Sequence, residues 1–416
     1  MFKIFDELKD GLKNIIQIEK NEEEIEKEHL NISYNNFLLH YTDPRKAIRK
    51  DIDNIKKGKT SQYERDFIWL FFLGIIPFKN PDSWKKLISI EREKFATLRK
   101  KYITKDIEDF IELKRITDTQ KYDNYKEIIS KEEFEILNLI KVDVERTYQE
   151  NEIFLLDIVK KRLITVLYIY AKENPNYGYK QGMGDICGVF LFALYKNYYV
   201  KKGFEKDEIT SLYSLIHSNN IYLENDLYLM FNKFMNKGFA ELFLYNTIKY
   251  KKSVLSSKSL EEKIKLSYDD IEKCDDCELK KRAYILFYHI FKKIDPEFYN
   301  LLIKDVYPEL FLVKWYLCIF TREFKLQQVI NLWDLIIMYE FIEEKLLKEK
   351  RNTKYYNFMD FIALSMLINC KPDIIKIEDV NEVMSSIMHY PTDISIEKIS
   401  KKAIEIYEKF YPEIKI

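Results

Sequence analysis

The chain has 416 residues, enough for one large domain or for two to three ordinary ones. Lysine plus arginine and aspartate plus glutamate number 68 each, so the formal net charge is zero, which argues against a dedicated nucleic-acid-binding protein. Apolar residues make up 47% of the sequence and include 28 phenylalanines and 31 tyrosines, ample material for a large core.

The N-terminal segment predicts an amphipathic helix. Acidic residues on its polar face favour packing against a core or a partner over lying on a membrane. We therefore predict residues 1–40 to be an N-terminal helical extension. Its apolar stripe consists of Phe2, Phe5, Leu8, Leu12, Ile15 and Ile16.

The rest of the chain also favours helices. Strict apolar–polar alternation is rare, whereas apolar residues recur with helical spacing, and no repeat of about 20 to 50 residues is present. The predicted class is therefore all-α. Two charged segments, residues 251–281 and 343–357, are predicted to be flexible insertions. Buried or amphipathic helices are predicted near residues 65–73, 155–171, 184–199, 209–248, 283–291, 310–341, 358–368 and 393–410.

No segment is predicted to cross a membrane. The start of the chain is charged too early for a signal peptide. The longest apolar run, residues 67–78, is too short to span a bilayer and contains Gly74 and Pro77. We therefore predict a cytoplasmic protein without a transmembrane segment.

Cysteine usage fits the same reducing compartment. The five cysteines are odd in number and widely spread, unlike a disulfide framework. Cys274 and Cys277 form a lone CxxC pair with no second pair and no nearby histidine. Because zinc needs four ligands, we expect no metal site there.

Residues 140–147 contain a first candidate functional pair. On a helix, Asp143 and Arg146 lie three positions apart and share a face, so the carboxylate can orient the guanidinium. The alternative is an ordinary surface ion pair that stabilises the fold by only about 0.2–1 kcal/mol.

A second candidate lies where glycine is concentrated. Four of the nine glycines fall between residues 178 and 188, around Gln181 and Asp185. Glycine is kept where backbone must bend or be approached closely. A glutamine at such a bend offers a donor and an acceptor, which together can hold a water molecule. The alternative is a helix start that packs tightly against a neighbour.

Together these segments resemble a known family. Ile140-x-x-Asp143-x-x-Arg146-Thr147 and Tyr179-x-Gln181-Gly182-Met183 are similar to the paired IxxDxxRT and YxQG motifs of TBC-domain proteins, which are GTPase-activating proteins for Rab small GTPases. The match spans roughly residues 65–342. Further elements follow in the family's order: Arg65-x-x-x-Trp69, Arg92-x-x-Phe95-x-x-Leu98, Glu224-x-Asp226-x-Tyr228, Asp295-Pro296-Glu297-x-Tyr299, Trp315, Phe320-x-Arg322-Glu323-Phe324 and Trp333-Asp334.

The resemblance implies a fold and two catalytic residues. It implies a TBC-type domain over residues 41–416, made of two helical subdomains with a groove between them. Arg146 would enter the nucleotide site of a partner GTPase as an arginine finger. Such an arginine raises the rate of GTP hydrolysis roughly 10³- to 10⁵-fold. Gln181 would position the attacking water as a glutamine finger. Asp143 would hold Arg146, and Thr147 would anchor its loop.

The resemblance also implies supporting roles. Tyr179 is expected to be a supporting residue of the glutamine motif, and Gly182 and Gly184 would let the GTPase backbone approach. Gly184 stands where Asn or Ser is commoner in the family, and this substitution predicts a looser turn. Asp185 is expected to cap the following helix.

The remaining motif residues are expected to be structural. Trp69, Trp315 and Trp333 are predicted to lie in the core. Arg65 and Arg322 are expected to pair with acids such as Asp334 or Glu323, because a buried arginine needs a partner.

The function implied is activation of a Rab GTPase in its GTP-bound form. Such a protein is an enzyme activator with no substrate turnover and no cofactor of its own, since GTP and Mg²⁺ are carried by the partner. Peripheral recruitment to endomembranes in vesicle trafficking would follow from a lipidated partner.

One alternative is a catalytically silent TBC-fold scaffold that binds a Rab or a trafficking complex. Another is a helical structural protein in which the arginine and the glutamine are incidental. The presence of both Arg146 and Gln181 favours an active protein.

Overall fold

The computed structural model describes residues 43–61, 64–77, 83–113, 119–201, 222–246, 254–347, 357–391 and 394–412. The predicted N-terminal extension lies outside these residues, as does most of the second predicted insertion. Regular structure in the described part of the chain is helical, and the predicted all-α class is confirmed.

The first half of the chain carries the helices that bear the two candidate motifs. A 3₁₀ segment, Phe239–Asn246, follows the last of them. In chain order they are α1 (Pro44–Lys56), α2 (Arg65–Phe72), α3 (Trp84–Tyr102), α4 (Lys105–Glu112), α5 (Thr119–Ile128), α6 (Lys131–Val144), α7 (Glu152–Leu155), α8 (Asp157–Glu173), α9 (Met183–Lys201) and α10 (Leu223–Met235).

The second half begins with three short helices. The third of them leads into a π-helical stretch, Leu286–Phe291, and one more turn, Lys292–Ile294. The helices are α11 (Leu260–Lys265), α12 (Tyr268–Lys273), α13 (Glu278–Ile285), α14 (Pro296–Leu302), α15 (Pro308–Leu317), α16 (Leu326–Leu347), α17 (Phe358–Ile374), α18 (Val380–Met388) and α19 (Ile396–Phe410).

Helix α8 is the central helix for the candidate site. It packs against α6, α9 and α10, and its residues 162–171 are all buried. A helix enclosed on every side is apolar all round, which is why this stretch has no polar face. Because α6 ends in the arginine motif and α9 begins after the glutamine motif, both motifs flank the same buried helix.

Two buried ion pairs tie distant segments together. Arg65 Nε donates to Asp334 Oδ1 at 3.0 Å, across 269 positions of the chain. The indole Nε1 of Trp69 donates to the same oxygen at 2.8 Å. Arg92 Nη2 donates to Asp226 Oδ2 at 2.7 Å. Removing one member of such a pair leaves a buried charge without a partner, which typically costs about 3–5 kcal/mol.

The first predicted insertion is ordered where the structure describes it. Ser259 and Ser267 cap α11 and α12 with reciprocal capping boxes. Leu255 and Ile271 are fully buried. The prediction of a flexible segment is therefore wrong for residues 254–281, since its charged side chains belong to short helices that bury apolar ones. That the segment is an insertion stays a prediction.

Two further properties of the described residues bear on the predictions. None of the helices found there has both the length and the hydrophobicity needed to cross a bilayer. All five cysteines are free thiols, and within the described ranges no cluster of three or more His, Cys, Asp or Glu side chains suits a metal ion.

Candidate functional site

Arg146 lies in a turn directly after helix α6. The helix begins with a capping hydrogen bond from the Glu133 amide to the Ser130 side chain and ends at Val144. The Arg146 amide and the Thr147 hydroxyl then donate to the Asp143 carbonyl at 3.0 and 3.1 Å. The predicted shared helix face is therefore wrong in detail, because Arg146 lies beyond the helix end. This position leaves its side chain 54% exposed.

Gln181 lies in the connection between α8 and α9. The chain leaves α8 through a turn in which the Gly178 amide donates to the Asn174 carbonyl at 2.8 Å, with Gly178 at φ 58°. Tyr179 is buried, Gln181 is exposed, and α9 begins at Met183. The turn thus presents the glutamine at the surface and keeps its aromatic neighbour inside.

The carboxylate of Asp143 joins the two motifs. Oδ1 accepts a hydrogen bond from Arg146 Nη2 at 3.1 Å. Oδ2 accepts from the Gly182 amide at 2.8 Å and from the Tyr179 hydroxyl at 2.5 Å. Burial, together with this negative neighbour, raises the pKa of Tyr179 well above its ordinary value, so the phenol stays a donor. One buried side chain, only 3% exposed, therefore fixes both the arginine and the residue after the glutamine.

Gly182 and Gly184 are buried against this chain's own atoms. A Cβ at Gly184 would lie 3.1 Å from the Thr147 hydroxyl and 3.2 Å from Asp143 Oδ2. Gly182 has φ 99°, and a Cβ there would lie 2.8 Å from Cys318 Sγ. Both glycines are therefore required by internal close packing. The approach of a partner's backbone to them, and the looser turn expected at Gly184, stay predictions.

Asp185 pairs with Arg322 in the first turn of α9. Arg322 Nε donates to Asp185 Oδ2 at 2.9 Å. Burial is the main cause that raises the pKa of Asp185, and the Arg322 guanidinium opposes it. Asp334 pairs instead with Arg65, and Glu323 with Lys314. Asp185 therefore pairs with Arg322 from a distant part of the same chain, where a helix-capping role was predicted. The acids predicted for Arg322 pair with other residues.

The three motif tryptophans are fully buried. Trp333 Nε1 donates to the Ile319 carbonyl at 3.1 Å, and its ring stacks on Phe234 at 4.9 Å. The Trp315 ring packs edge-on against Phe311 at 5.0 Å. These side chains belong to the hydrophobic core, as predicted, and are not accessible to a partner.

Unusual backbone occurs near both motifs, and nothing in the sequence indicates it. Tyr148 has φ 45°, Ile319 φ 51° and Phe320 φ 63°. Non-glycine residues rarely adopt this left-handed region, and a β-branched residue least of all. Such residues cost about 1–3 kcal/mol each and concentrate at functional sites. Tyr148 follows the arginine motif, and its hydroxyl donates to the Asp185 carbonyl at 3.2 Å.

Exposed apolar side chains lie beside the arginine turn. Leu155, Leu156 and Ile158 are 54%, 41% and 51% exposed, although this end of the segment was predicted to be a buried helix. We call these three residues the apolar patch. Lys160 on α8 pairs with Glu145 at 2.6 Å, which ties the start of α8 to the turn that carries the arginine.

A protein-family model matches most of the chain. A model of the Rab-GTPase-TBC domain, RabGAP-TBC, matches residues 62–274 and 265–375. The chain belongs to the RabGAP-TBC family. The matched ranges contain both motifs of the site and all of the structural motif residues predicted above.

Relatives with TBC-domain names are similar to most of the chain. TBC1 domain family member 5 from human is 23% identical over 345 residues, 82% of this chain and 41% of that protein, and the mouse protein is 22% identical over 82% and 40%. GTPase-activating protein GYP1 from Saccharomyces cerevisiae is 24% identical over 68% of this chain and 38% of that protein. The chain thus spans about two fifths of the length of these relatives.

The fold is that of a solved TBC domain. The crystal structure of the Ypt/Rab-GAP domain of Gyp1p aligns with a TM-score of 0.56 at 17% identity, covering 87% of this chain and 93% of that one. At this identity the similarity establishes the all-α fold, and function rests on the site itself.

Proposed function

We propose that this chain is a GTPase-activating protein for a Rab small GTPase and that it supplies Arg146 and Gln181 in trans. The observation that carries the proposal is the Asp143 carboxylate, whose two oxygens hold the arginine side chain and the backbone next to the glutamine. A carboxylate buried to this degree orients both groups before a partner arrives.

The state of Arg146 suits charge stabilisation in a partner's site. One Nη2 contact fixes the guanidinium, while more than half of the side chain stays accessible and keeps further N–H donors for phosphate oxygens. GTP hydrolysis develops charge on these oxygens, and an arginine from outside the GTPase stabilises that charge. Pre-orientation lowers the entropic cost of placing it.

The state of Gln181 suits the second task. Its carboxamide is exposed, and the adjacent Gly182 amide is anchored to Asp143 at 2.8 Å, so the backbone that carries it is fixed. A carboxamide accepts a hydrogen bond from water and donates one as well. It can therefore align an attacking water with the γ-phosphate that the GTPase holds.

The apolar patch offers a docking surface next to the arginine. It spans the junction of α7 and α8, and Phe154 of α7 packs on Tyr148, which follows the arginine motif, at 5.1 Å between ring centroids. Apolar groups that are exposed beside reactive residues are typical of interaction sites. We infer that the GTP-bound GTPase covers this patch when Arg146 enters its nucleotide site.

The proposal assigns GTP and Mg²⁺ to the partner and no cofactor to this chain. We further propose that the protein works in the cytoplasm and reaches endomembranes through its lipidated GTPase.

Single-turnover hydrolysis tests the proposal. A panel of GTP-loaded Rab GTPases is mixed with the wild-type chain and with Arg146→Ala and Gln181→Ala variants. We expect a loss of about 10³-fold or more for Arg146→Ala on the responsive GTPase, within the range for arginine fingers. Arg99→Ala is the matched control, because that partly exposed arginine pairs with Glu108 and Glu224.

The outcomes separate the proposal from its alternatives. Acceleration that survives both substitutions contradicts the two-finger mechanism. Tight binding of a GTP-loaded Rab without any acceleration identifies a scaffold. If no GTPase of the panel is bound or accelerated, the protein has another role.

A further inference from the structure

The turn between α15 and α16 has a fixed and unusual shape. Its residues 318–322, here called the support turn, include the consecutive left-handed residues Ile319 and Phe320. The Phe320 amide donates to the Trp315 carbonyl at 2.8 Å, and Trp333 donates to the Ile319 carbonyl. Strained backbone of this kind persists only where the surrounding structure enforces it, and it is found mostly at functional sites.

The support turn lies directly behind the glutamine. Cys318 Sγ occupies the space that a Cβ of Gly182 would need, and Arg322 Nη2 lies 3.7 Å from the same point. The Arg322 Nε also donates to Asp185, which lies in the first turn of α9 and is largely buried. Arg322 therefore bonds Asp185 on the C-terminal side of Gln181, and its guanidinium lies beside the side of Gly182 on which a Cβ would stand.

The two catalytic candidates differ in how many segments of the chain hold them. Arg146 is held through Asp143 Oδ1 from the end of α6, whereas the glutamine loop, residues 179–182, is held from two sides. Asp143 fixes the loop from the N-terminal half of the chain, and the support turn fixes it from the C-terminal half.

We propose that Arg322 is a positioning residue for the glutamine finger and that it acts through Asp185 and through the packing of the support turn beside Gly182, without contacting the nucleotide. The proposal rests on the proposed function for its kinetic consequence, but its structural consequence is independent of it. Loss of the guanidinium frees one side of the glutamine loop while Arg146 stays held by Asp143.

The first test is hydrogen–deuterium exchange of the chain alone. In Arg322→Ala we expect faster exchange in peptides that cover residues 178–184, which include the Gly182 amide. Peptides over residues 145–150 should exchange as in the wild type. Lys314→Ala is the matched control, because it breaks an ion pair to Glu323 beside the support turn without touching the glutamine loop. Unchanged exchange over residues 178–184 overturns the proposal whether or not any GTPase responds.

The second test is kinetic and uses the GTPase that responds best in the panel. We expect Arg322→Ala to lower kcat about tenfold with little change in KM, since small misplacements of a catalytic group have effects of this order. The same loss is expected in an Arg146→Ala background and less than a twofold loss in a Gln181→Ala background. Arg322→Lys should restore part of the rate.

The results distinguish the two proposals. An equal loss in all three backgrounds shows a general structural effect and overturns the role of Arg322. A wild type that accelerates no GTPase refutes the proposed function, while the exchange result still decides whether Arg322 holds the glutamine loop.

Discussion

Replacing Asp143 by asparagine tests how the site is assembled. The carboxylate accepts three hydrogen bonds, from Arg146, the Tyr179 hydroxyl and the Gly182 amide. Asparagine offers one oxygen and one NH₂ group, so it can replace only one of the two carboxylate oxygens as acceptor. Its NH₂ group must face either the arginine or the buried pair of donors.

The magnitudes decide the orientation. Turning the NH₂ group toward Gly182 leaves a buried amide unpaired at a cost of about 1–3 kcal/mol. Turning it toward Arg146 releases a half-exposed side chain into water, where such an ion pair stabilises by at most about 1 kcal/mol. Asp143→Asn should therefore keep the glutamine loop in place and release the arginine. The lost ion pair, together with the weaker hydrogen bonds that a neutral oxygen accepts from Tyr179 and Gly182, should lower the unfolding free energy by about 1–3 kcal/mol.

The kinetic expectation follows from that orientation. Asp143→Asn should lower kcat for a responsive GTPase by about 10- to 100-fold, less than Arg146→Ala, because the guanidinium is misplaced but still present. In an Arg146→Ala background the same change should be nearly silent. Asp143→Ala, which removes both acceptors, should lower the rate even in that background.

Single-turnover rates are measured for the wild type, for the single variants Asp143→Asn, Asp143→Ala and Arg146→Ala, and for the two double variants. Urea unfolding of each protein is the stability check. If Asp143→Asn lowers the rate as strongly without Arg146 as with it, the orientation argued here is wrong. An unchanged rate in the otherwise wild-type chain removes Asp143 from the mechanism altogether.

Three further predictions concern packing, docking and pH. Gly184→Ala should lower the unfolding free energy by about 1–3 kcal/mol in urea and slow GTP hydrolysis, because its Cβ would meet a hydroxyl at 3.1 Å. Leu155→Ser with Ile158→Ser should raise KM about threefold to tenfold with kcat unchanged, whereas Ile375→Ser, at an equally exposed site, should not. Burial lowers the pKa of Lys141 from 10.5 to about 8. Between these two pH values Lys141 is therefore protonated in the unfolded chain and neutral in the folded one. Unfolding free energy should consequently rise with pH above about 8, by at most about 1.4 kcal/mol per unit, and Lys141→Met should remove that slope.

Each of these has a contrary result. A stable and fully active Gly184→Ala variant shows that the site tolerates a methyl group. Equal KM values for the patch variant and the Ile375 control place the docking surface elsewhere. A pH slope that persists in Lys141→Met belongs to other groups.

The class and the two motifs were accessible from the sequence because both depend on local patterns. Helical spacing of apolar residues predicts the class, and the spacing of Asp143, Arg146 and Gln181 matches the family motifs. The buried pair of Arg65 with Asp334 was also among the partners expected. The catalytic roles themselves stay predictions.

The supporting structure was not accessible, because it depends on contacts between distant segments. Nothing local selects Asp185 over Glu323 as the partner of Arg322, since that pair closes 137 positions of chain. Left-handed backbone at Ile319 contradicts its own side-chain preference and is imposed by tertiary packing. The exposure of Leu155 depends on where α8 begins, and helix boundaries are weakly encoded.

The bond between Arg65 and Asp334 has a consequence during protein synthesis. At about 5–20 residues per second, a ribosome needs roughly 15–50 seconds to translate the 269 positions between them. Throughout that interval the apolar residues of α2 lack the helix α16 against which they pack. The nascent polypeptide is therefore expected to need chaperone protection until α16 has emerged, and a truncation before α16 should favour aggregation.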